Sequence, residues 1–492
     1  MSQKIVSLDS ITRPSSLAAS QPKASGACAS SGCGTARGAP ELPAHVREKI
    51  AEHPCYNEEA HHFFARIHVA VAPACNIQCH YCNRKYDCSN ESRPGVVSER
   101  LTPEQAVRKV RAAAAAMPNL SVVGIAGPGD ALADHRRSFE TFRLLREAVP
   151  DLTLCLSTNG LALPDHVEAI REIRIHHVTV TMNAIDPHVA AEIYDWIFFD
   201  HRRWTGLDAA RILIDRQLKG IRMLVEAGVL VKVNSVMIPG INDEHLTEVN
   251  STVKGLGAFL HNIMPLISDP AHGTHFGLTG QRGPSAAELK GLQDQLGEDA
   301  RLMKHCRQCR ADAAGLLGED KGQQFGLESL PEDPQIDPEK RAAYRAIVEH
   351  ERADRRREAA AAAAAIRRFA PDAPMLVAVA TKGGGRVNQH FGHASEFQIF
   401  EVSGGGSRFV GHRRVDRYCS GGEGEDDVLE ATLSALDGVA VVLTAKIGRC
   451  PREKLAAAGI AVVDEYAFDY VEMAIAKYLA ARAAEVDVAR SA

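Results

Sequence analysis

From about residue 65 to residue 300 short apolar runs alternate with longer amphipathic stretches. Segments 67–72, 122–126, 152–157, 178–182, 229–238 and 259–266 are apolar-rich runs that look like buried strands. Between them the apolar positions recur at helical spacing over 137–149, 165–173, 209–227 and 245–256. A further helix opens at Thr102, where Pro103 at the first helical position and Gln105 three residues after the cap form a start signal. Strand–helix alternation predicts parallel β/α units, and such sheets carry their chemistry at the C-terminal ends of the strands. A second α/β module of about 110 residues begins near Pro374, with strands at 375–381, 397–402, 439–445 and 460–463. Residues 321–373 join the two, with a helical pattern over 335–369 that reads as a solvated spacer. Residues 1–42, rich in Ser, Ala, Gly and Pro and without periodicity, read as a flexible arm that holds Cys28 and Cys33.

Composition narrows the class. The chain has 492 residues, 45% hydrophobic and 24% charged, with net charge −5. That balance argues against a general nucleic-acid or membrane-surface binder. No apolar run reaches the length of a membrane span, and the first twenty residues lack a signal-peptide core. The expected location is the cytoplasm, where twelve cysteines are read as metal ligands before disulfides.

Cys75, Cys79 and Cys82 form a C-x3-C-x2-C triplet directly after the first predicted strand, at the expected mouth of the sheet. Three such thiolates can hold three irons of one 4Fe-4S cluster and leave the fourth without a protein ligand; a zinc knuckle or a set of reduced thiols is the alternative. Gly127, Gly129 and Asp130 follow the second strand, where glycine lets backbone approach a ligand and a carboxylate can accept from an ammonium group. Ser157 and Asn159 end the third strand, Asn183 the fourth and Ile238 the fifth. The triplet spacing, with Tyr81 before the last cysteine, resembles the radical S-adenosylmethionine (SAM) enzymes. That resemblance implies a partial (βα)6 barrel of TIM type. In that family the open iron chelates SAM and an electron cleaves it to a 5′-deoxyadenosyl radical. It further implies a SAM pocket built from Tyr81, Gly127, Gly129, Asp130, Ser157, Asn159, Asn183 and Ile238.

Five more cysteines surround this core: Cys55, Cys88, Cys155, Cys306 and Cys309. With His53 and Glu91 they suffice for two further clusters with about three protein ligands each. The segments around His53–Cys55, the triplet, Cys88–Glu91, Gly127–Asp130 and Ser157–Gly160, with Gly273-Thr274 and Gln281-Arg282-Gly283-Pro284, resemble over roughly 45–320 the NifB family of nitrogenase cofactor biosynthesis. The resemblance implies fusion of two 4Fe-4S substrate clusters into an 8Fe precursor, with a SAM-derived carbide and an added sulfur. One SAM would methylate a cluster sulfide, and a second, cleaved at the triplet, would supply the hydrogen-abstracting radical. His53, Cys55, Cys88, Glu91, Cys155, Cys306 and Cys309 then form the ligand pool for the two substrate clusters, with Cys155 also counted as catalytic. How they divide stays open.

In the second module Gly383–Gly385 lead into His390 and His393. This loop resembles nitrogenase cofactor-carrier domains of the NifX and NafY type, so His390, with His393, Cys419 and Cys450 behind it, is a candidate ligand for a finished cluster. The implied partners are a cluster donor, carrier or scaffold proteins of cofactor assembly, and an electron donor such as a ferredoxin. A radical SAM peptide modifier and a non-enzymatic cluster carrier are the competing readings.

Overall fold

The computed structural model describes residues 42–491 apart from 58, 91–93, 298–300, 304–309, 372, 421–422 and 425. Its main sheet has six parallel strands, Ala65–His68, Leu120–Ile125, Thr153–Thr158, His177–Thr181, Leu230–Met237 and Leu260–Pro265, adjacent in chain order. The short strand Ala314–Gly315 pairs antiparallel with the outer edge of the first. Helices Pro103–Ala116, His135–Ala148, Val167–Glu172, Gly206–Glu226 and Leu246–Gly255 connect successive strands. This is the expected half-barrel. Alternation along each strand sends Val123, Leu154, Leu156, Val178, Val180, Val231 and Val233 into the buried core. The intervening positions turn to the lumen.

The start of helix Pro103–Ala116 forms as the sequence predicts. Thr102 Oγ1 accepts from the Gln105 amide at 3.3 Å and Gln105 Oε1 from the Thr102 amide at 2.8 Å. Boundaries differ where pairing and not hydropathy decides. The first strand is Ala65–His68 and not 67–72, although Val69 and Ala72 still donate to the Gly124 and Gly127 carbonyls, at 3.0 and 3.2 Å. The helix expected over 165–173 is a 3-10 turn, Leu163–Asp165, followed by helix Val167–Glu172.

A small antiparallel sheet was not anticipated. The hairpin Tyr194–Phe199 and Arg202–Thr205 pairs with Ile77–Cys79, inside the cysteine loop. Asp200 and His201, both at positive φ (50° and 55°), make its two-residue turn, the geometry of a type I′ hairpin.

The C-terminal module is a mixed five-stranded sheet in the order Gly406–Arg414, Glu396–Ser403, Met375–Val379, Val439–Leu443, Ala461–Val463. Helix Pro338–Phe369 is not the solvated spacer expected. Ala362 and Ile366 join one core with Val471 and Ala474 of the C-terminal helix. Nearer its start the buried Arg341 donates to Asp151 Oδ2 (2.7 Å) and the Leu120 carbonyl (2.8 Å), and Arg352 donates to the Ala51 carbonyl. Its basic residues serve carbonyls and carboxylates at the base of the half-barrel. No helix among the described residues is long and apolar enough to cross a membrane.

Candidate active site

The cysteine loop is clamped from two sides at the mouth of the half-barrel. On one side Ile77–Cys79 pairs with the hairpin, and Phe198 donates to the Asn76 carbonyl at 2.7 Å. On the other, the Gly129 amide donates to Ala72 and the Asp130 amide to Ala74, at 2.7 and 2.6 Å. A Cβ on Gly129 would lie 2.0 Å from the Ala74 carbonyl oxygen, so only glycine lets the two segments meet. Cys75, Cys79 and Cys82 then line one cavity with Gly129, Ser157 and Asn159; its empty volume is about 390 Å³, counting the part open to solvent. Asn159 Nδ2 donates to Asn76 Oδ1 at 2.7 Å and lies 3.8 Å from the Cys75 sulfur.

Cys88 joins the same cavity. Its amide donates to the Pro128 carbonyl at 2.8 Å, and its thiol is close enough to feel all three triplet sulfurs. Burial pushes these thiols up, Cys75 to about 12, and the negative charge of Asp130 and of neighbouring sulfurs adds to it. Such thiols ionise only against a strong local positive charge, which bound iron provides. The donor set and the Gly129 cradle therefore fit an iron–sulfur cluster, and the polar strand ends beside it fit SAM.

Four of the expected pocket residues also hold the surrounding structure together. Asp130 lines the cavity, but its carboxylate accepts from the Leu132 and Ala133 amides, Thr158 Oγ1 and the Asn159 amide. Three of these donors fall on Oδ1 and one on Oδ2, so Asp130 fixes the end of the third strand while Oδ2 keeps a free lone pair beside the cavity. Tyr81 is buried and donates to Asn90 Oδ1 at 2.5 Å. Asn183, fully buried, donates to Tyr81 and Tyr194 and accepts from the Val236 amide. Ile238 is fully buried with its amide on Asn242 Oδ1. Through Tyr81, Asn183 ties the end of the fourth strand to the cysteine loop, while Ile238 is held within its own loop. Gly127, Gly129, Ser157 and Asn159 stay at or beside the cavity.

A second group lies deeper. Across the sheet His68, Gly124, Cys155 and His177 stand in register. Cys155 is two residues below Ser157 on one strand, about 6.6 Å at strand rise, and faces the same way. It is therefore inside the lumen, below the strand end. The His68 ring leans over Gly124, whose absent Cβ would meet it at 3.0 Å, and His68 Nδ1 donates to the Arg310 carbonyl at 3.2 Å. Segment His53–Tyr56 enters from below. The His53 ring is 4.3 Å from that of His177, and His53 Nδ1 accepts from the Cys55 amide. Burial drives His53 well below its usual range, His68 to about 4 and His177 to about 3, so the lumen imidazoles are neutral. His68 and His177 were missed in the sequence. The strand period from Ser157 and Thr181 inward is the signal that would have found them.

Glu91, Cys306 and Cys309, like Cys28 and Cys33, lie outside the described residues. Arg310, next after Cys309, donates to the Val97 carbonyl at 3.1 Å, and Asp312 accepts from the Glu99 amide. In the C-terminal module Gly383, Gly384 and Gly385 have successive positive φ, and the Gly384 amide reaches the His62 carbonyl at 3.3 Å. His390 is half-buried and His393 exposed, their rings 4.7 Å apart, with His390 Nδ1 accepting from the Gly392 amide.

A parallel half-barrel with three cysteines in the loop after its first strand defines a radical SAM enzyme, and residues 69–252 match the Radical SAM superfamily. Residues 373–481 match the dinitrogenase iron-molybdenum cofactor family. The chain is 57% identical to the FeMo cofactor biosynthesis protein NifB of Sinorhizobium fredii over 476 residues, covering 96% of this chain and 97% of that one. It is 62% identical to NifB of Rhodobacter capsulatus (87% and 95% covered) and 54% identical to NifB of Azotobacter vinelandii (92% of each). The chain belongs to the NifB family of FeMo cofactor biosynthesis proteins.

Proposed function

We propose that this chain fuses two 4Fe-4S substrate clusters, with a SAM-derived carbide and an added sulfur, into an 8Fe cofactor precursor. The observation that carries the reading is the juxtaposition of three donor groups along one barrel axis. The triplet and Cys88 share the mouth cavity, and Cys155 stands one pleat below it in register with His177, whose ring contacts His53. A cluster on Cys75, Cys79 and Cys82, with SAM bound, supplies reductive cleavage to a 5′-deoxyadenosyl radical.

The remaining donors divide by position. His53, Cys55 and Cys155 hold one substrate cluster in the lumen. Cys88, with Glu91, Cys306 and Cys309, holds the other at the mouth. The chain just past Cys309 meets both groups, since Arg310 donates to the Val97 carbonyl and its own carbonyl accepts from His68 of the lumen. Both clusters then adjoin the place where SAM is cleaved. In the C-terminal module His390 and His393 offer imidazoles for the product. Cluster-donor, carrier and ferredoxin-like partners in the cytoplasm complete the reading.

The test is iron content and SAM cleavage after anaerobic reconstitution. The full chain should hold about twelve irons, from three clusters of four. Cys88→Ala should lose about four irons and keep SAM cleavage, whereas Cys75→Ala should lose SAM cleavage and keep the other two clusters. Saturation near four irons with full activity sinks the proposal.

A further inference from the structure

We propose that His177 is a second nitrogen ligand to the substrate cluster of the lumen, beside His53. The inference rests on the reading that the lumen holds a cluster, and it names a ligand that reading does not include.

His177 is fully buried and neither ring nitrogen has a hydrogen-bond partner; the Nε2 of His53 is likewise buried and unsatisfied. Each such orphan is costly to bury without a partner. As packing alone the residue is a poor choice. Its ring contacts are to His53 at 4.3 Å and to Tyr56, edge-on, at 4.6 Å, and a phenylalanine would make both without a buried polar atom. The Lys49 carbonyl is near enough to be felt by the ring, yet no contact reaches hydrogen-bond geometry. A small adjustment lets that carbonyl take the N–H of one nitrogen and leaves the other with its lone pair. Metal-bound histidines have this arrangement, with a backbone carbonyl orienting the ring from behind.

The lone pair has a partner in view. His177 is the register neighbour of Cys155, and paired residues on adjacent strands point to the same face. Among the described residues no three His, Cys, Asp or Glu side chains converge tightly enough for a single ion. Cys155, His177 and His53 come from three separate segments, and donors distributed in this way suit a multi-iron group. Imidazole binds iron but exchanges more readily than thiolate, so His177 would cover the corner that has to open when the cluster reacts.

The experiment is pulsed EPR of the reconstituted, reduced full-length protein carrying 15N-labelled histidine. Wild type should give two distinct histidine couplings, and His177→Phe, which keeps the aromatic contacts, should lose one with iron content unchanged. His177→Gln is the second variant and should do the same. A single coupling in wild type, or an unaltered spectrum in either variant, overturns the proposal. The double variant Cys55→Ala/Cys155→Ala separates the two ideas. It should lose about four irons. Unchanged iron there refutes the lumen cluster itself, whereas the expected loss together with a single wild-type coupling refutes His177 alone.

Discussion

Gly129→Ala should silence SAM cleavage without removing any group that touches SAM or iron. The new methyl carbon would sit 2.0 Å from the Ala74 carbonyl oxygen and 2.8 Å from that of Pro73, both backbone atoms. Reaching the ordinary contact distance of 3.4 Å requires a retreat of about 1.4 Å. That retreat breaks or stretches the Gly129–Ala72 and Asp130–Ala74 hydrogen bonds. Two such bonds at about 1 kcal/mol each, with overpacking of about 1–3 kcal/mol, give about 3–5 kcal/mol of local destabilisation. The strain falls on the residue before Cys75. A displacement of about 1 Å at a reacting centre costs about a hundredfold in rate. The assay is anaerobic release of 5′-deoxyadenosine with a strong reductant, normalised to iron. Gly255→Ala is the control, since a Cβ there meets nothing within 4 Å. A Gly129→Ala protein with full iron and a wild-type rate would refute the cradle argument.

Arg341→Ala should lower the melting temperature by several degrees, through loss of about 2–3 kcal/mol, while SAM cleavage at 25 °C persists; an unchanged melt would mean that the helix Pro338–Phe369 does not anchor through this residue. His261 gives a pH signature. It is buried between Asn250 Oδ1 and Ser235 Oγ, each at 2.9 Å, and burial lowers it to about 3. Its unfolded value is about 6.5, so between the two the unfolded chain binds the extra proton. Stability is then fully present above about pH 6.5 and falls as pH drops toward 3, by at most ~1.4 kcal/mol per pH unit. Thermal melts at pH 7 and pH 5 should separate, and His261→Gln should narrow the gap; an equal gap would remove His261 as its source.

The strand–helix alternation was legible because buried strands are written as apolar-rich runs. The triplet was legible because its ligands are close in sequence and need no fold to bring them together. The hairpin was harder: Tyr194–Phe199 mixes Asp195 into an aromatic run, and its Asp200–His201 turn lacks the glycine that usually marks such a hairpin. The roles of Asp130, Tyr81 and Asn183 were not legible at all. A polar residue at a strand end looks the same whether it meets a ligand or a neighbouring amide, and only the partners distinguish the cases. His177 was hidden for another reason. A histidine at the start of an apolar run reads as an edge residue until the register sets it beside Cys155.

On the proposed reading the radical made at the triplet acts on another iron–sulfur cluster. Anaerobic incubation of the full chain with iron, sulfide, reductant and methyl-labelled SAM tests it most directly. Label should enter an iron–sulfur cluster that can be extracted from the protein, and Cys155→Ala should abolish this transfer while 5′-deoxyadenosine is still released. Release of 5′-deoxyadenosine by the wild-type chain with no label in the extracted cluster would contradict it.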